Sequence, residues 1–289
     1  MQWKSLALSL LVGHGLGQAP GTPPMLRFEC SQLVVERLDP LVNPGSVPSP
    51  HLHQIVGGNS FNASMDHPTH DLPAASTCTS CTFSEDFSNY WTAVLYFRAR
   101  NGTFKRVPQF VSDGLRGVGG ITVYYIPSTN NQSSVTAFKP GFRMLVGDAT
   151  SSTPGPSRKV CHRCMPASGD KSNINCGAPD DQSLPKEFCP GGIRSVITFP
   201  TCWDGKNLDS PNHMSHVAYA IGSKANDVGP TGKCPASHPV VIPQVMYEVM
   251  WDVSLSSFHL FFLVWALNGG NPLRVQLLWY NKYRNRFAN

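Results

Sequence analysis

Gln244-Val245-Met246-Tyr247-Glu248-Val249-Met250-Trp251 decides the fold: one carboxylate inside an apolar and aromatic run too short for an amphipathic helix, the composition of a buried strand. Working outward, the same texture returns in Tyr90–Phe97, Gly120–Ile126, Gly141–Val146, Ser195–Phe199 and His216–Tyr219. Between these runs, 25 prolines and 25 glycines punctuate the chain, and no stretch keeps helical periodicity for three turns. The pattern predicts an all-β protein, an antiparallel sandwich of jelly-roll type with long disulfide-linked loops. The Ser, Pro, Gly and Cys-rich stretch 147–192 reads as a cross-linked excursion, because strand-like sequence resumes after it.

The first 17 residues have the pattern of a secretory leader: Lys4, then the apolar run Leu6–Val12, then Gly15-Leu16-Gly17 as the small residues before cleavage. Export is therefore expected, and it agrees with sequons at Asn62, Asn101 and Asn131 and with nine cysteines. Cys78/Cys81 and Cys161/Cys164 have the CxxC spacing of a zinc knuckle, yet the intervening sequence holds several strand-like runs and the compartment is oxidising. Disulfides are the expectation, with one thiol left over from the odd total.

With 41% hydrophobic and 14% charged residues, the processed chain can bury one substantial core, so 18–252 is expected to be a single domain acting as a monomer. The formal charge of +5 draws on Arg274, Lys282, Arg284 and Arg286 in an acid-free tail. The remaining body is close to neutral, which argues against nucleic acid as a partner. Leu260–Leu267 is apolar but too short to span a bilayer.

Arg37-Leu38-Asp39-Pro40, His51-Leu52-His53, Gly57-Gly58-Asn59-Ser60-Phe61, Cys78-Thr79-Ser80-Cys81, Phe199-Pro200-Thr201-Cys202-Trp203-Asp204-Gly205, His213-Met214-Ser215-His216 and Cys234-Pro235-Ala236-Ser237-His238-Pro239 occur in this order. With them the chain resembles, over roughly 27–252, the fungal domain of unknown function numbered 1996. That resemblance implies a secreted fungal protein, joined in some chains to a wall-binding module, and supplies no catalytic residue. After Asp252 the pattern departs from the family, and 253–289 is expected to be an atypical segment left by a lost reading frame.

Two chemistries follow from the side chains. In the first, a cell-wall polysaccharide is bound, and hydrolysed if the chain is a glycoside hydrolase, in a His/Asp/aromatic cleft. Asp204, His53, His216 and Glu248 are the candidate catalytic groups there, with Arg37, Trp91, Tyr124, Trp203 and His213 as ligand contacts. Strand periodicity puts Glu248, Met250 and Asp252 on one face, which sets two carboxylates on the same side. In the second, neutral imidazoles of His51, His53, His213, His216 and His238 converge on one copper or zinc ion. Both readings need histidines distant in sequence to meet in space. A third, blander one is a structural or sensor-like wall component.

Overall fold

The computed structural model describes residues 25–66, 70–98, 101–110, 119–127, 135–147, 159–169, 176–177, 179–223, 229, 231–253 and the strand 275–277. The leader, the Asn131 sequon, the apolar stretch 260–267 and most of the tail lie outside them. Among the described residues the elements in chain order are β1 Leu26–Ser31, β2 Val34–Glu36, β3 His53–Gly57, α1 Leu72–Ala75, β4 Asn89–Ala93, β5 Leu95–Arg98, β6 Phe104–Arg106, β7 Gly120–Ile126, β8 Val160–Cys164, β9 Ile193–Thr198, β10 Cys202–Trp203, β11 Val217–Ala218, β12 Val240–Val241, β13 Gln244–Trp251 and β14 Val275–Leu277.

The protein is nearly all β and its ladders are antiparallel. A five-stranded sheet runs in the order β1-β7-β13-β9-β8, and three-stranded sheets are formed by β2-β3-β4, β11-β10-β12 and β14-β5-β6. The quoted run Gln244–Trp251 is the central strand of the main sheet, flanked on both sides by ladders, which explains its density of apolar side chains. Phe28, Cys30, Ile121, Val123, Tyr247 and Val249 from the main sheet pack against Val56 and Tyr90 from β3 and β4, a sandwich-like core. Inside this core Gln54 sits fully buried; its amide oxygen accepts from Gln32 and Gln109 at 2.9 Å each, and its amide nitrogen donates to Thr92. Gly57 is required where β3 meets the chain before β4: its φ is +107°, and a Cβ would lie 1.8 Å from the Ser88 carbonyl oxygen.

Four disulfides brace the loops: Cys30–Cys81, Cys161–Cys176, Cys164–Cys189 and Cys202–Cys234. The two CxxC pairs thus do not share an ion, and the leftover thiol is the exposed Cys78. Two expectations are corrected. Gly141–Val146 is not a strand, because Arg143 and Leu145 donate instead to the carbonyls of Leu208 and His213 in an irregular loop. The 147–192 stretch is not wholly an excursion, since Val160–Cys164 is the edge strand of the main sheet.

Candidate functional site

Strand parity divides the main sheet into a core face and an opposite, outer face. In register across the strands, the outer face carries a row of Arg27, Tyr124, Met246 and Thr198. The next row is Glu29, Thr122, Glu248, Val196 and Cys161, and a third is Met250, Arg194 and Arg163. For a chain with so few charges, this concentrates ionisable groups on one surface. The Cys161–Cys176 disulfide packs with Val196, Met246 and Tyr124, so the excursion covers the β8–β9 end. There Asp180, 1% exposed, pairs with Arg163 and lies 3.4 Å from Arg194.

The β1–β7–β13 end is more open. The Arg27 side chain is 51% exposed; its guanidinium donates to Glu29 Oε1 at 3.0 Å and to the Tyr124 hydroxyl at 3.1 Å. Tyr124 in turn donates to Glu248 Oε2 at 2.9 Å. Burial, then the Glu248 charge, pushes the Tyr124 phenol well above its ordinary range, so it remains a donor. Glu29 is buried at 4% exposure, and its Oε2 has no hydrogen-bond partner among the described residues. A buried carboxylate oxygen without a donor is costly.

The histidines form a different arrangement. His51 and His53 stand 6.3 Å apart, ring to ring, with His53 Nδ1 donating to the Leu38 carbonyl at 2.9 Å. Burial first, then the nearby His53 and Arg37, lower the His51 pKa, and Asp39 opposes them. His213, His216 and His238 gather around β10 and β11. His213 Nδ1 bonds Asp209 at 2.8 Å; its φ of 55° places it in the left-handed region. The buried His216 ring donates from Nε2 to the Arg143 carbonyl and meets Ser210 Oγ at Nδ1. His238 likewise uses Nε2 on the Ser215 carbonyl and Nδ1 on Ser237. A ring nitrogen that donates to a carbonyl carries a proton and has no lone pair for a metal. His216 and His238 have both ring nitrogens in protein hydrogen bonds, whereas the bonds of His53 and His213 engage Nδ1; among the described residues no three His, Cys, Asp or Glu side chains are placed to hold an ion.

The other sequence candidates disperse too. Asp204 accepts from the backbone N–H groups of Lys206 and Asn207 and from the Asn207 amide; despite the opposing effect of burial, these bonds hold its pKa below the usual carboxylate value. It anchors a turn. Its own N–H bonds the His216 carbonyl, whereas His53 lies on β3 and Glu248 on the outer face, so the four candidate catalytic groups belong to three separate hydrogen-bonded groups. Trp203 is 3% exposed, its indole N–H donating to the Asn207 carbonyl at 2.6 Å under Lys139 and against Phe142. It is core, not a sugar platform. Trp91 is half-buried against Phe61, and Arg37 fixes its loop through the Ser49 carbonyl. Asp252 follows the end of β13, where its backbone turns to Pro108.

Of the predicted site residues, Tyr124 and Glu248 come together, and the structure adds Arg27 and Glu29 to them. Reading Arg27-Phe28-Glu29 at period two, with both charges on one side and Phe28 on the other, would have found the missing pair.

These features define a class: a disulfide-braced all-β protein whose main sheet carries a charged outer face. A model of the family described as "Domain of unknown function (DUF1996)" matches residues 39–268, and the chain belongs to that family. No curated protein and no solved structure matches it. The matched span continues past Asp252, the boundary expected from the sequence.

Proposed function

We propose that the chain is an exported protein that binds a carbohydrate polymer, such as that of a fungal cell wall, on the open end of the outer face. The observation that carries this reading is the placement of Glu29 and Glu248 on either side of Thr122, tied through Arg27 and Tyr124, with one buried oxygen lacking a donor. Sugar hydroxyls supply such donors, and a fixed lattice of carboxylate, guanidinium and phenol groups recognises them at modest conformational cost. Four disulfides support an oxidising, extracellular setting, and the sequon residues Asn62 and Asn101 are exposed and available for glycans. No helix among the described residues is long and apolar enough to cross a membrane.

Binding is favoured over hydrolysis by the hydrogen bonds themselves. An acid–base pair needs a carboxyl free to pass a proton to the scissile oxygen, whereas Arg27 already holds one oxygen of Glu29 and Tyr124 one oxygen of Glu248 in a fixed network. The test is co-sedimentation of the purified full chain with insoluble glucan, chitin, chitosan and mannan, with release of reducing sugar assayed in parallel. Retention by at least one polymer, lost in Glu248→Gln with an unchanged circular dichroism spectrum, is expected. A wild-type protein left wholly in the supernatant with every polymer overturns the reading; sugar release abolished by Glu248→Gln replaces binding with hydrolysis.

A further inference from the structure

We infer that the loop 37–49 is an acid-released strap: protonation of the His51 ring, which stands beside His53 and Arg37 at the neck of the loop, loosens the loop from the start of β3. This is independent of carbohydrate binding and uses residues that the outer face leaves idle. The neck is tied by reciprocal bonds. The Ser49 N–H donates to the Arg37 carbonyl, and Arg37 Nε donates to the Ser49 carbonyl, both at 2.7 Å. Ser49 Oγ donates to the His51 carbonyl at 2.7 Å, and His53 Nδ1 holds the Leu38 carbonyl at 2.9 Å. Inside the loop, Asp39 Oδ1 accepts from the N–H groups of Leu41 and Val42. Asp39, Leu41 and Ser49 are buried, so the loop is a packed unit with its ends held together.

In the closed loop a proton on His51 is disfavoured. Burial is the largest cause, since it strips water from a charged ring; the His53 ring at 6.3 Å and the Arg37 guanidinium add repulsion, and Asp39 opposes them. Together they hold the His51 pKa below its ordinary value of 6.5. Glu36 is in register with His53 on β2, but it is exposed and its charge is screened by water. In the released loop the His51 ring returns to water and takes up its proton at the ordinary pKa. The released form therefore binds more protons, so closure is fully supported above pH 6.5 and weakens as the pH falls below it. The His53 bond to Leu38 is open to the neutral and the charged ring alike, so acid acts on the neck through charge and not by removing that bond. Release uncovers Leu41 next to Val42, which is already 44% exposed, and gives the acid form a more apolar surface.

The experiment follows amide hydrogen exchange of the full chain between about pH 7.5 and about pH 5, above the range in which carboxylates ordinarily titrate, with intrinsic exchange rates divided out. The Ser49 and Val42 amides are expected to lose protection as the pH falls, by no more than about tenfold per pH unit for release driven by one proton. Val123 and Tyr247 in the main sheet should stay the better protected. In His51→Gln and His51→Asn, neither of which titrates, protection of Ser49 and Val42 should be flat across the same interval. The comparison is of slopes, so it holds even where a variant is less protected at every pH; a circular dichroism spectrum like that of wild type checks each fold. Flat protection in the wild-type protein overturns the inference. A pH slope retained in either variant also overturns it, because the proton then acts at another group.

Discussion

Glu29 on β1 and Glu248 on β13 are both in register with Thr122 on β7, so the two carboxylates flank one residue on the outer face. The relationship is a product of topology. β7 hydrogen-bonds to a strand near the start of the described chain on one side and to one near its end on the other. Gly120 permits the close approach of β1 and β7 at the end of this ladder, since a Cβ there would lie 1.9 Å from the Cys30 carbonyl oxygen. No local sequence window contains both acids, and only the ladder joins them.

The Tyr124 hydroxyl is the joint between the two sides. Tyr124→Phe removes the acceptor for Arg27 and the donor for Glu248 in one step, and is expected to lower stability by about 1–2 kcal/mol. Because Glu248→Ala removes the same bond from its other end, the double variant should cost less than the sum of the two single variants, with a coupling of roughly 1 kcal/mol in a urea-unfolding cycle. Strict additivity would show that the 2.9 Å contact contributes nothing to the fold.

How much of this was legible depends on how a strand advertises itself. Gly120–Ile126 and Gln244–Trp251 are observed at the residues their composition predicted, because both are interior strands whose environment demands apolar side chains. Leu26–Ser31 and Val160–Cys164 were missed since they are the two edges of that sheet, where Arg27, Glu29, His162 and Arg163 dilute the apolar signal. The candidate site inherited the same blindness. His51, His53, His213, His216 and His238 stand out in sequence by rarity and by Gly/Pro surroundings, yet four of the five have a ring nitrogen engaged in fixing a loop. Loop-fixing and ligand-binding histidines share one sequence texture, and only hydrogen-bond partners separate them.

The small sheet β11-β10-β12 has two-residue strands, so its cross-link is expected to matter more than its ladder. Replacing Cys202 and Cys234 by alanine opens a loop with a sequence separation of 32 residues, for which chain entropy predicts a loss of about 3–4 kcal/mol. Hydrogen exchange should show the loss first at Trp203 and Val217, with Val123 and Tyr247 still protected. Uniform loss across all four amides would instead mean that this sheet and the main sheet unfold as one unit.

Two glycines in the left-handed region give a matched pair. Gly102 has φ +85° and open space around its Cβ direction, whereas Gly57 combines φ +107° with the Ser88 backbone. Gly102→Ala is expected to cost about 1 kcal/mol from conformation alone, and Gly57→Ala about 2–4 kcal/mol once the clash is added. Thermal midpoints of the two variants check the order; equal shifts would mean that β3 and β4 can part without penalty.

His162 gives the fold a defined acid limit. It is 3% exposed on the core face of β8, with Nδ1 2.8 Å from Ser195 Oγ, and the same oxygen accepts the Trp251 indole N–H at 3.1 Å. Ser195 accepts from Trp251 with one lone pair and can give its proton to His162 Nδ1, an arrangement open to the neutral imidazole. Burial pushes the His162 pKa down from 6.5 to about 4, against a small opposing pull from Asp181. The unfolded chain therefore binds more protons than the folded one between these values. Stability from this group is fully present above pH 6.5 and is lost progressively as the pH falls towards 4, by about 3 kcal/mol in all. His162→Asn retains hydrogen-bonding capacity and cannot titrate, so its stability between pH 6.5 and 4 should fall less steeply than wild type, whatever its absolute value. The nearby carboxylates titrate in both proteins, and urea-unfolding free energies measured across this interval isolate the difference in slope. Parallel curves for the two proteins would show that the buried imidazole titrates alike in the folded and unfolded chain, and that acid lability resides in another group.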